Sequence, residues 1–157
     1  SDALKNINLM RKQGATIIDI GAESTRPGSD PITYQQEIKK LEPILKKIPK
    51  DQFIISVDTN KIETQEFALK HGVHIINDIF GGSEDLFILS KKYKNGLILM
   101  HIPSSPKTMQ SMTHIYKNVV YDVRKIFTEK KLEDFLLLLE SKYSQTGYFN
   151  SKIISNI

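Results

Sequence analysis

Short runs of β-branched and aliphatic residues alternate along this chain with longer stretches whose apolar positions recur every three or four residues. The short runs predict strands over 16–20, 53–58, 74–79 and 97–101, with KIISNI (152–157) as one more. The longer stretches predict helices. Residues 2–13 place Leu4, Ile7 and Leu9 on one side, and Gly14 ends them. Over 34–48, Ile38, Leu41, Ile44, Leu45 and Ile48 form a buried stripe, Thr33 is the cap, and Pro43 inside the helix is expected to kink it. A third helix carries Ile62, Phe67 and Leu69, capped by Thr59 or Asn60 and stopped by Gly72. Ser83 caps a fourth over 84–94, with Gly96 at its end. A Pro- and Ser-containing loop (102–112) leads to a long helical region over about 114–144. Strict alternation of strand and helix implies right-handed βαβ units and a parallel sheet. Periodicity leaves open a doubly wound sheet or part of a barrel. The Gly-rich turns that announce a nucleotide in a doubly wound sheet, G-x-G-x-x-G and G-x-x-x-x-G-K, are absent from the sequence.

Composition narrows the class. With 157 residues, 39% hydrophobic and 25% charged, the chain is long enough for one domain with a real core. No apolar run approaches the ~20 residues of a membrane span. The opening SDALKNINLM lacks the basic-then-apolar layout of a secretion signal. Zero cysteines exclude disulfides and thiolate metal sites and are compatible with a cytoplasmic chain. The net charge of +4 comes from lysines scattered beside glutamates, as in KKLEPILKK (39–47), which reads as a solvated face. It is not the concentrated, aromatic-interleaved stripe of a nucleic-acid binder.

The candidate chemistry sits where strands end. IIDIGAESTRPG (17–28) runs a buried strand into a polar loop, and FIISVDT, HIINDI and LILMH end in the same way. Polar groups at several strand ends suggest one site at one rim of a parallel sheet. Alternation puts Ile54, Ser56 and Asp58 on one face of their strand, with Ile55 and Val57 on the other. Asp58 therefore reads either as an acceptor for N–H groups of a flat heterocycle or as a helix cap. Asn77 and Asp78 are adjacent, so only one faces inward. Arg26 with Thr25 suits a phosphate, though Arg in a Pro-Gly turn is often a plain surface residue. Glu23 and Ser24 order that loop, and Asp19 within the strand faces inward. His71, His74 and His114 have no ligand-like spacing.

Taken together, IIDIGAESTRPG, PITYQQEIKKLEPIL, ISVDT, GVHIINDI and LMH…PKTMQ (99–110) resemble dihydropteroate synthase of the pterin-binding barrel superfamily, near-continuously from about Leu9 to Gln110. The resemblance implies a parallel (β/α)₈ barrel of TIM type, here incomplete at about five of eight units, with residues 1–157 forming one partial barrel domain. An entire barrel of this kind takes ~250 residues. It also implies condensation of a dihydropterin-methyl diphosphate with 4-aminobenzoate, giving dihydropteroate and pyrophosphate in folate synthesis. Asp58 and Asn77 then bind the pterin, leaving Asp78 structural, and Met100 lies on the ring face. Thr25 and Arg26 hold the diphosphate and aminobenzoate side, with Mg²⁺ on the phosphate oxygens. PSSPKTMQ stands where many relatives carry Gly-Asn before the Pro, and Lys107 within it is read as structural.

Against that pattern the chain begins after the first strand, whose Asn helps hold the metal, and stops at the sixth. There Asn156 stands where a pterin-binding Asp is expected, and the later cationic segment is absent. The expectation is a chain weak or inactive alone, cytoplasmic, and either a homodimer or completed by a partner segment. A methyltetrahydrofolate-type methyltransferase and a non-catalytic pterin-binding remnant are the alternatives.

Overall fold

The computed structural model describes residues 2–24 and 30–101, together with 117, 118, 120–122 and 125. The chain divides into two compact units, Ser1–Ile115 and Tyr116–Ile157. In the second, residues 120–122 and 125 are helical. Their start is capped by Asn118, whose side-chain oxygen accepts from the Tyr121 N–H at 3.1 Å. The loop expected over 102–112, most of the helix over 114–144 and the strand over 152–157 lie outside the described residues.

The first unit repeats helix and strand in the order α1 (Asp2–Lys12), β1 (Ile17–Gly21), α2 (Tyr34–Leu45), β2 (Ile54–Asp58), α3 (Ile62–Lys70), β3 (Ile75–Asp78), α4 (Glu84–Tyr93) and β4 (Gly96–Leu99). The strands form one parallel sheet in chain order, β1-β2-β3-β4. Each neighbour pair is thus joined by a helical crossover, the unit from which barrels are built.

One face of this sheet is core. Ile18, Ile20, Ile55, Val57 and Ile76 are buried there, packed on Leu41 and Leu45 of α2, Ala68 and Leu69 of α3, and Leu86 of α4. The other face is open. Ile17, Ile54 and Ile98 point out of it at 47, 39 and 44% exposure. Apolar side chains at that exposure on three strands belong to the face that becomes the interior of a closed barrel.

Local signals explain the helix starts. Thr33 and Gln36 form a reciprocal capping box: the Gln36 N–H donates to Thr33 Oγ1 (3.3 Å) and the Thr33 N–H to Gln36 Oε1 (2.9 Å). Ser83 Oγ accepts from the Leu86 N–H at 3.1 Å. Other boundaries differ from the sequence pattern. Pro43 lies inside α2, which ends at Leu45 rather than 48. The cap of α3 is neither Thr59 nor Asn60. Lys61 occupies that position without a side-chain bond, while the Thr59 hydroxyl donates to Glu37 and accepts from the Lys61 N–H at 3.3 Å. Lys94, left-handed at φ 56°, ends α4, while Gly96 is drawn into β4 opposite Ile75.

Candidate active site

Parallel strands bring their C-terminal ends to one rim. There Gly21, Asp58 and Asn77 form a single row across β1, β2 and β3. Asp58 and Asn77 are register partners and stand side by side on the open face, both half-buried. A Cβ on Gly21 would lie 3.5 Å from Asp58 Cβ and 3.7 Å from its Oδ2, so glycine leaves the carboxylate room on that side. Met100 follows β4 at the same rim, 44% exposed, its N–H bonded to the Asp78 carbonyl at 2.9 Å. Thr25 and Arg26 lie outside the described residues, as does Lys107.

Alternation also separates the two polar neighbours of β3. Asp78 is buried on the helix side, where Oδ1 accepts from the Phe80 N–H (2.8 Å) and Oδ2 from Gln65 Nε2 (3.1 Å). It orders the turn after β3. Asn77 faces the open side, and its Nδ2 donates to Asp19 Oδ2 at 3.2 Å.

Behind the rim lies a buried polar network with no counterpart in the sequence pattern. Glu37 of α2, 1% exposed, accepts through Oε2 from the Thr59 hydroxyl (2.9 Å) and the Thr64 hydroxyl (2.7 Å). Lys61 Nζ stands 3.8 Å from the same oxygen and also pairs with Glu23. Glu23 Oε2 in turn accepts from the Ile32 N–H at 3.2 Å, so one carboxylate gathers both ends of the polar loop after β1. Gln65 Nε2 adds a bond to the Thr59 carbonyl at 2.9 Å. The network ties the segments after β1, β2 and β3 into one rigid rim, the support a site needs to hold its geometry.

The field of this rim is acidic. Burial first, then the charges of Asp19, Glu37, Asp78 and Glu23, raises the Asp58 carboxyl from 3.8 to about 6. At neutral pH it is mostly a carboxylate, an acceptor in a partly desolvated place. Asn77 adds an amide beside it. This pairing suits the N–H edge of a neutral heterocycle and repels a phosphate. Among the described residues, no three His, Asp or Glu side chains converge to hold a metal.

The comparisons with known proteins follow the same residues. Residues 1–135 match the family described as pterin binding enzyme. The chain is 42% identical over 132 residues to the dihydropteroate synthase of Escherichia coli strain K12, covering 82% of this chain and 46% of that protein. It is similar to the dihydropteroate synthase of Thermus thermophilus in complex with 4-aminobenzoate, at TM-score 0.74 and 36% identity, over 85% of this chain and 51% of that one. It is also similar to the Burkholderia cenocepacia dihydropteroate synthase complexed with 7,8-dihydropteroate, at TM-score 0.74 and 34% identity, over 85% and 49% of the two chains. The chain thus spans about half the length of the relatives it matches.

Proposed function

The chain belongs to the pterin-binding enzyme family, and from that premise we propose that its rim is the pterin-binding half of a dihydropteroate synthase site. The observation that carries this is the register pair Asp58 and Asn77, side by side on the open face beside Gly21. A pterin offers ring and exocyclic N–H groups along one edge. Asp58 accepts from that edge, Asn77 pairs beside it, and Met100 packs on the ring face.

In the reaction, the bond between the pterin methylene and the diphosphate oxygen breaks. A bond from that carbon to the amine of 4-aminobenzoate forms, pyrophosphate leaves, and the amine loses a proton. The ring spreads the positive charge that develops on the methylene, and the acidic field around Asp58 stabilises it. Thr25 and Arg26 take the diphosphate and aminobenzoate side, where Mg²⁺ on the phosphate oxygens would supply counter-charge to the leaving group. The acidic rim leaves the leaving group to cationic residues outside it, Arg26 among them. The rim belongs to a partial barrel domain that acts in the cytoplasm.

A ligand panel tests the reading. Calorimetric titration of the chain with 6-hydroxymethyl-7,8-dihydropterin, its diphosphate and methyltetrahydrofolate is expected to show binding of the first two and weaker binding of the third. Preference for methyltetrahydrofolate would favour a methyltransferase. Failure of every pterin to bind a folded chain would contradict the proposal.

A further inference from the structure

The hydrogen bond from Asn77 to Asp19 crosses the sheet. Asp19 lies on β1, one row deeper than Asn77, and its register partner on β2 is Ser56. The Asn77 amide reaches over Ser56, which is fully buried on an otherwise open face, with its hydroxyl unpartnered among the described residues. The bridge therefore lies across the open face one row below the rim.

An amide has two different ends, and a carboxylate distinguishes them. A carboxylate oxygen accepts, and Asn77 turns Nδ2 toward Asp19 Oδ2 at 3.2 Å. The reversed amide would set Oδ1 against a carboxylate. One Nδ2 hydrogen is thereby committed to Asp19, while Oδ1 and the second hydrogen face the ligand in a fixed order. We propose that Asp19 is a positioning residue of the pterin site, locking the Asn77 amide in the orientation that meets the heterocycle edge beside Asp58. This rests on the proposed pterin reading and deepens it.

Asp19 has a second effect that a purely structural residue would lack. After burial, its charge is the largest cause of the raised Asp58 carboxyl. The other charged groups around Asp58 are Glu23 after β1, Glu37 on α2 and Asp78 on β3, with Lys61 paired to Glu23 and Glu37. Replacing Asp19 leaves all of these in place. Asp58 binds as a carboxylate, so affinity is present above its pKa and fades as pH falls through about 6. Losing the Asp19 charge lowers that midpoint.

The test compares wild type, Asp19→Asn and Asp19→Ala in the full chain, titrated with 6-hydroxymethyl-7,8-dihydropterin between pH 5 and 8. Asp19 is exposed on its strand, and amide spectra of each variant check folding. At pH 8, Asp19→Ala is expected to bind about tenfold more weakly, as for loss of one charge-assisted hydrogen bond. Asp19→Asn, which keeps an acceptor, falls between. In both, the acid limb of binding moves to lower pH. Weaker binding with an acid-shifted limb is a combination that loosened packing does not produce. Variants that bind like wild type, with the limb unmoved, would overturn the positioning role alone. A folded wild type that binds no pterin would overturn the pterin reading and the role of Asp19 with it.

Discussion

Asp58 stands between two demands. It must be ionised to accept from an N–H edge, yet burial and neighbouring carboxylates raise its pKa to about 6. A carboxyl raised in this way stabilises the fold as the neutral acid. That contribution is complete below the unfolded value near 3.8 and is lost as pH rises through about 6. Asn at this position is neutral at every pH. Asp58→Asn is therefore expected to melt a few degrees above wild type at pH 8, about 2–4 °C, tempered by the water that still reaches the carboxyl. The gap should close near pH 4, and thermal melts at both pH values check it; a gap independent of pH contradicts the account. Asp58 was legible because period-two alternation assigns a strand-ending residue to a definite face. Choosing Asn77 over Asp78 needed the family resemblance, since adjacent residues fit either phase. Glu37 was not legible at all. Periodicity reads a Glu in the first turn of an amphipathic helix as solvated. Only hydroxyls 22 and 27 residues away make its burial possible.

Among the elements, α2 and α3 are joined by that same carboxylate. Removing it leaves two buried hydroxyls without their acceptor and Lys61 without one of its counter-charges. Glu37→Ala is expected to cost about 2–4 kcal/mol, read from urea unfolding, with Glu37→Gln milder because its amide oxygen still accepts. A loss near zero would show that the network holds nothing together. The four strands and two of the caps followed from local pattern, since Thr33 and Ser83 act on backbone three residues away, whereas the strand order needed the family resemblance. Boundaries set by distant partners did not follow from local pattern. Thr59 sits two residues before the cap position, its hydroxyl shared between Glu37 and the Lys61 N–H, and Gly96 looks like a terminator until Ile75 pairs with it. Gly82 is a case of both kinds. Its φ of +79° marks a turn residue, but the ring of Phe87, 2.8 Å from where a Cβ would sit, is a tertiary constraint that spacing does not reveal.

At the scale of the molecule, the described strands make half of a site's wall. The open sheet face is apolar at its base, at Ile17 and Ile54, carries Asp19 one row below the rim, and at the rim sets Asp58 and Asn77 beside Ile98. This polarity separates the labour of the proposed reaction. The acidic rim takes the N–H edge of the pterin, and the anionic leaving group requires positive charge from outside it. Pterin recognition is therefore expected to be measurable at this rim independently of turnover. The most direct measurement is calorimetric titration of the folded chain with dihydropterin-methyl diphosphate and Mg²⁺ at pH 8, beside Asp58→Asn. Saturable binding in wild type that weakens at least about tenfold in the variant, the cost of replacing a charged acceptor, is the predicted result. Equal binding by both proteins would place the pterin elsewhere and contradict the account.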